Sequence, residues 1–298
     1  MERISPRSPL IEGVLLVDKS AGFTSHDAIA RARRVLGVRR IGHMGTLDPF
    51  ATGLLVLLVG RVTRLAAYIQ GEPKVYDASI RFGARTDSDD ATGQVIETAP
   101  VPDARSVEDA LPRLTGVLEQ MPPAFSAKQV DGVRAYDAAR RGVPLELRSS
   151  LVTVHAWSIC GWRSAHELDV TITCGGGTYI RALARDLGTL TGSVAHLSAL
   201  RRTRSGPFSV DEAIPVTALE PGVQLRPALE GLGDLSAVAV TGDERARIAR
   251  GQTIDAASSA ADGESSSRAV LVDEHRQILA IAERQASSWA PRVVLIDA

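Results

Sequence analysis

Lysine is nearly missing from this chain: Lys19, Lys74 and Lys128 are three among 34 basic residues. Arginine suits bidentate phosphate contacts and stacking on bases, but codon usage produces the same bias, so it selects no function. Cysteine is almost as scarce. Cys160 and Cys174 lie in apolar, strand-like segments without metal-ligand spacing. They are expected to be buried free thiols in a cytoplasmic protein, not a disulfide or a metal site. The longest apolar run, residues 54–59, is far short of the ~20 residues that span a bilayer, so no membrane partner is expected. Arg3 and Arg7 precede no apolar segment, so no secretory signal is expected either.

Neither sign of charge dominates, since the net charge is −1. The halves differ, however. Residues 1–210 carry 26 Lys/Arg against 21 Asp/Glu, a balance of +5, and the remainder carries 8 against 14, a balance of −6. Phosphate affinity needs local positive charge, which the first two-thirds can supply. At 298 residues the chain has room for a large domain and a small one.

What is present in abundance is conformational constraint around one acid. Gly42, Gly45 and Gly53 bracket His43 and Asp48, and Pro49 follows the acid directly. Glycine permits backbone angles and close approaches that a Cβ forbids, and proline biases its predecessor away from helical geometry. A short, stiff loop presenting Asp48 and His43 is expected. Asp-Pro is equally a good helix start, with Asp as N-cap and Pro at the first helical position.

The segment 13–17 reads as a strand and 26–36 as a helix that Thr24 or Ser25 can cap. Arg31, Arg33, Arg34, Arg39 and Arg40 form either a solvated face or a phosphate-facing patch. A buried strand is expected at 54–59 and a helix at 63–69. Residues 74–82 alternate apolar and polar side chains as a half-buried strand does, and from pattern alone Tyr76 is a sheet tyrosine. Residues 83–93 form an acidic turn-rich loop without the spacing of a calcium loop. A short helix is expected at 107–114, strands at 152–160 and 168–174, and a helix at 178–187 with Gly188 at its end. Ile180, Leu183, Ala184 and Leu187 make a buried stripe on that helix. Arg181 lies beside it, close to the core and in need of an anion. Gly175-Gly176-Gly177 precedes this helix, but without Gly-Lys-Ser/Thr a nucleotide site is not expected. After a connector at 211–234, the tail reads as a helix at 243–249, a mobile loop at 257–267 and strands at 269–272, 278–282 and 293–296.

Ordered blocks between residues 12 and 208 carry a family resemblance. Gly-His-Met-Gly-Thr-Leu-Asp-Pro-Phe-Ala-Thr-Gly-Leu-Leu (42–55) resembles the catalytic loop of the TruB-type RNA pseudouridine synthases. The loop at 18–25 resembles that family's opening motif, with Ser20 where a proline is usual. Segments 121–128 and 132–142, then Gly-Thr-Tyr-Ile-Arg-Ala-Leu-Ala-Arg-Asp-Leu-Gly (177–188) and 196–208, continue the match. The family commonly has Ser-Lys or similar where Gly175 and Gly176 stand.

The resemblance implies an α+β pseudouridine-synthase fold. Its mixed, largely antiparallel central sheet is flanked by helices over residues 1–234, followed by a small β-rich PUA-like domain over 235–298. It implies a thumb-like insert at 124–148, carrying Lys128, Arg134, Arg140, Arg141 and Arg148, with a helix at 134–141 ended by Gly142 and Pro144. It further implies isomerisation of uridine to pseudouridine at position 55 of the tRNA T-loop, with no cofactor and no metal. Asp48 is the expected nucleophile, Arg181 its partner, and Tyr76 a further catalytic group against the base. Tyr179 and Leu200 line the base pocket, His43 fills the vacated stack, and Lys19 contributes to substrate binding. The expected partner is the tRNA T-arm and elbow, met by a monomer without a guide RNA. A guide-RNA-dependent relative and a tRNA-folding chaperone with incidental catalysis are the alternatives.

Overall fold

Two strands with continuous apolar sequence form the spine. Gly13–Lys19 and Thr52–Val59 pair antiparallel from Gly13↔Val59 to Lys19↔Gly53. Runs without polar alternation need cover on both faces, and the computed structural model, which describes residues 11–125, 129–130, 133–134, 147–256 and 267–297, provides it. On one face Leu15, Val17, Leu55, Leu57 and Val59 share a core with Ala28, Ile29, Ala32, Leu183 and Leu187 of two helices. On the other, Val14, Leu16, Leu54, Val56 and Leu58 pack with Val270, Val272 and Ile281 of the C-terminal sheet and with Leu295 just after its last strand. The spine is the middle layer of three.

Around it the main sheet runs in the order Ile214–Pro215, Gly13–Lys19, Thr52–Val59, Ala195–Ser205, Lys74–Phe82, Glu167–Cys174, Ser150–Ser164 and Gly116–Gln120. Most neighbours are antiparallel; the contact of Thr52 and Gly53 with Arg201 and Arg202 is parallel. A Cβ on Gly53 (φ +98°) would meet the Arg202 carbonyl oxygen at 2.3 Å, so this crossing of strands requires glycine. The architecture is α+β, with a large mixed sheet and few helices.

Local rules account for several elements. The helix Ser25–Leu36 is capped by Thr24 in a reciprocal box with Asp27 and closed by Gly37 at φ 68°. Alternating Lys74–Phe82 is a strand, as are Ser150–Ser164 and Glu167–Cys174.

Other expectations need correction. Residues 63–69 do not form an α-helix: a 3-10 helix spans Gly60–Leu65 and the chain then turns. With a strand before it and Gly71, Glu72 and Pro73 after it, the segment is too short to repay helix nucleation. The helix expected at 107–114 starts earlier, at Ala104, because Asp103 caps it. It tightens to a 3-10 turn over Leu111–Leu114, where Pro112 has no N–H to give. The helix Ile180–Leu190 runs through Gly188, which is not a cap. A Cβ there would meet the Ala195 nitrogen at 2.5 Å, so Gly188 lets the helix lie against the neighbouring strand.

Cys174 is buried, and burial pushes its thiol up to about 11. Cys160 is exposed instead, because Ser150–Ser164 is long and its middle leaves the covered part of the sheet. Where a thumb-like insert with a helix at 134–141 is expected, Val133–Arg134 is a short strand paired with Gln129–Val130. Lys128, Arg140, Arg141, Gly142 and Pro144 lie outside the described residues, as does 257–266 of the expected mobile loop.

The connector 211–234 is part of the sheet's edge. Val17 and Asp18 pair with Ile214 and Pro215, and Val14 exchanges backbone hydrogen bonds with Arg226. Beyond it a second sheet runs Ser236–Ala239, Arg268–Val272, Ile278–Gln285, Ser288–Val294 and Ile254–Asp255. The first and last of these carried no legible strand pattern. Among the described residues no helix is long and apolar enough to cross a membrane.

Candidate active site

Asp48 is held by its flanks. Ser25 Oγ donates to the Leu47 carbonyl at 3.2 Å and accepts the Leu47 N–H at 3.0 Å. Met44 N–H bonds the Val56 carbonyl, and Gly22 N–H bonds the Pro49 carbonyl at 2.8 Å. No helix follows Pro49; Asp48 instead accepts the Ala51 N–H on its own carbonyl in a turn. Its side chain is therefore free of capping and one-third exposed.

Arg181 takes that carboxylate. Its Nε donates to Asp48 Oδ2 at 2.9 Å and its Nη2 to Oδ1 at 3.2 Å, a planar fork on both oxygens. The guanidinium is almost wholly buried, and its remaining donors go to the carbonyls of Ser88 (2.8 Å) and Phe125 (2.7 Å). Asp90 Oδ2 stands 3.6 Å from Nη1. The Arg181 helix is registered in turn by Gln120, whose amide accepts the Tyr179 N–H at 2.8 Å and donates to the Tyr179 carbonyl at 3.1 Å.

A pocket of about 260 Å³ opens beside Asp48. Tyr76, Tyr179, Leu200, Ile180 and Arg181 form its walls, and Gly45, Thr46, Gly175 and Gly177 belong to its rim and turns. It is smaller than the roughly 300–1,000 Å³ of drug-sized ligand sites and suits one flat ring. Tyr76 is buried, and desolvation pushes its phenol above the ordinary tyrosine value, partly offset by the Arg202 guanidinium beside it. The hydroxyl keeps its proton at neutral pH, so it can move one only as a relay, taking a proton while passing its own on.

Five of the seven expected site residues thus meet in one pocket: Asp48, Tyr76, Tyr179, Arg181 and Leu200. Two do not line it. His43 sits outside the wall, its ring 6.1 Å from that of His26 in an edge-on contact. Burial and that neighbour lower its pKa, favouring the neutral ring.

Lys19 lies behind the loop and does not line the pocket. Its side chain is fully buried, and Nζ donates to the carbonyls of Ser20, Phe23 and Ala51, with Pro49 oxygen at 3.4 Å. Every ammonium proton is spent on backbone, so Lys19 ties two loops together. Ser20 joins this tie through its carbonyl, which any residue supplies in place of the usual proline.

Burial lowers the Lys19 pKa to about 8. Above that pH the folded protein has lost a proton that the unfolded chain keeps until its ordinary value. Linkage then makes this group's contribution to stability rise with pH, not fall. The neutral amine nevertheless has one donor fewer, and the tie on the Asp48 loop loosens. Turnover is expected to decline above pH ~8 without a parallel fall in Tm from this group, followed by single-turnover rates and melting between about pH 7 and 10. Rate and Tm falling together over that window would contradict it.

Two pocket residues escaped the sequence reading, Lys74 and Arg202. Each is two residues from a recognised one on the same strand, Tyr76 and Leu200, and period-two alternation puts such pairs on one face. Arg31 resolves differently from the phosphate patch offered for it. Its Nη2 bonds the carbonyls of Thr217 and Leu219, while Arg34, Arg39 and Arg40 remain exposed.

Comparison with known proteins decides the family. Residues 33–180 match the TruB family pseudouridylate synthase N-terminal domain, and 181–226 match the tRNA pseudouridylate synthase B C-terminal domain. The tRNA pseudouridine synthase B of Thermobifida fusca is 42% identical over 295 residues, covering 96% of this chain and 99% of its own. The chain belongs to the TruB family of pseudouridylate synthases. The enzyme of the same name from Gloeobacter violaceus is 43% identical with the same coverage. An H/ACA RNP structure bound to a substrate RNA containing 2′-deoxyuridine superposes with a TM-score of 0.71 at 20% identity. It covers 95% of this chain and 85% of that one, a likeness of fold alone. As a member of this family the protein is an RNA pseudouridine synthase, an isomerase.

Proposed function

We propose that the protein isomerises uridine 55 in the T-loop of tRNA, with Asp48 as the nucleophile. It acts as a cytoplasmic monomer without cofactor or guide RNA. The observation that carries this reading is the Asp48 carboxylate, aimed by a buried Arg181 fork at a pocket with two tyrosines and a leucine in its walls. The names of the relatives, tRNA pseudouridine synthase B, support a tRNA substrate.

Pseudouridine formation breaks the N1–C1′ bond, turns the base and rejoins it through C5. The base is both leaving group and acceptor, so a carboxylate that can add and depart again suffices as nucleophile. A stacked loop uridine must first be flipped out, at a cost of a few kcal/mol. Tyr76, Tyr179 and Leu200 receive it, and His43 near the loop takes the vacated place in the stack. The deciding assay is the purified protein with an unmodified tRNA T-arm hairpin, scored for pseudouridine at the target uridine. Pseudouridine appearing only in other RNA contexts would sink the T-loop assignment.

Tyr76 separates holding from proton transfer. Base–aromatic stacking is worth roughly 1–3 kcal/mol, so Tyr76→Leu is expected to slow single turnover by at least about tenfold. Tyr76→Phe keeps the ring but removes the relay hydroxyl, and is expected to bind RNA normally and turn over slowly. A Phe variant at wild-type speed leaves stacking as the whole role.

A further inference from the structure

The pocket holds more positive charge than Asp48 answers. Of the ionised side chains on its wall, Asp48 and Arg181 neutralise each other, which leaves Lys74 and Arg202. Arg202 is closed to solvent and donates to neutral carbonyls, those of Leu54 at 2.8 Å and Gly45 at 3.0 Å. Lys74 has no hydrogen-bond or ion-pair partner among the described residues. The two cations adjoin: a Cβ on Gly45 would find Arg202 Nη1 at 3.4 Å and Lys74 Nζ at 3.5 Å. The carboxylate whose charge acts on Lys74 is that of Glu72, an exposed side chain filling the space a Cβ on Gly176 would take. A half-buried lysine beside a buried arginine, neither bonded to a carboxylate, is costly unless the site is built to receive negative charge.

Their placement says where that charge arises. Lys74 shares a strand face with Tyr76, and Arg202 stands directly across from Tyr76 in the sheet register. Both cations therefore flank the Tyr76 ring and line the same pocket. When the N1–C1′ bond breaks, its electron pair stays with the base and spreads over N1, O2 and O4. When C5 bonds C1′, that pair forms the new bond as the Asp48 carboxylate leaves C1′, C5 gives up its proton, and N1 takes one up, so the protons balance. Between those events the detached base is an anion.

We propose that Lys74, backed by Arg202, is the electrostatic partner of the detached base, donating to a uracil carbonyl oxygen and holding the negative charge until C5 is joined. The role rests on the pseudouridine-forming reading. Preorganised donors at developing charge accelerate the step without tightening ground-state binding.

The test compares Lys74→Met, Lys74→Gln and Lys74→Arg on the unmodified T-arm hairpin. It measures single-turnover rate at saturating RNA and the salt dependence of Kd. Loss of one such donor typically costs about 10²–10³ in rate. Both neutral variants should fall by that order, with Kd within about twofold and an unchanged salt slope. Lys74→Arg should recover most of the rate. A folded neutral variant at wild-type rate overturns the proposal. So does a salt slope lower by about one with an unchanged rate, since that marks a phosphate contact. An Arg variant as slow as the neutral ones, with an equally lowered Tm, reduces Lys74 to a structural role and also overturns it. A wild-type protein that makes no pseudouridine in this assay fails the underlying reading instead, a result that no Lys74 outcome can imitate.

Discussion

Asp48→Asn is expected to lower pseudouridine formation by at least about a thousandfold, as removal of a nucleophile does elsewhere. Affinity for the RNA should stay nearly unchanged. The substitution preserves shape, so the loop held by Ser25 and Lys19 has no reason to move. Chemistry fails for two reasons. An amide is a far poorer nucleophile than a carboxylate, and its NH₂ would face a guanidinium donor where Oδ1 or Oδ2 now accepts from Arg181. Removing a negative charge near phosphates should, if anything, help binding. Single-turnover rates and filter-binding affinities measured on one preparation decide the matter. Turnover within tenfold of wild type would remove Asp48 from the chemistry and with it the mechanism.

Arg181→Met is expected to damage stability and rate together, which Asp48→Asn should not. The Arg181 guanidinium is buried between Asp48, Asp90 and the carbonyls of Ser88 and Phe125. Methionine fills much of the volume but leaves the equally buried Asp90 without its cation. Breaking a buried pair from one side costs roughly 3–5 kcal/mol, because the remaining charge stays desolvated. In a chain of this size that corresponds to a Tm lower by roughly 6–10 °C. The rate should fall by at least about a hundredfold, since Asp48 loses the fork that aims it. Arg181→Lys separates the two effects: a point charge without the fork should recover part of the Tm and little of the rate. A Met variant that melts with wild type would show that Asp90 finds another partner. One that also turns over within tenfold would show that Asp48 needs no aiming.

Helix Ser25–Leu36 and strand Lys74–Phe82 were legible because the rules that make them act over a few residues. Thr24 three positions before Asp27 writes its own cap, and alternation over nine residues writes its own face. Gly42, Gly45, Asp48, Pro49 and Gly53 likewise encode a stiff loop within a dozen positions, whatever it is for. The need of Arg181 for an anion was legible from its place beside an apolar stripe. Which anion was not, because Asp48 lies 133 residues away and no periodicity spans that gap.

The same limit explains the errors. Lys19 reads as a loop lysine in sequence, and only the arrival of Pro49 and Ala51 thirty residues on turns it into a buried tie. Gly188 reads as a helix stop, yet the Ala195 backbone decides that it is a contact point. Cys160 and Cys174 sit in similar local sequence, and only the extent of the sheet's cover separates exposed from buried. The sequence by itself determined the helices' caps, the strands' faces and the conformational constraints around Asp48, all short-range properties of covalent geometry and periodicity. Tertiary structure alone decided which groups lost their water and which charges met, because burial and electrostatics depend on distance in space. That is why Lys74 and Arg202, given no site role from the chain, face the same small pocket as Asp48 and Tyr76.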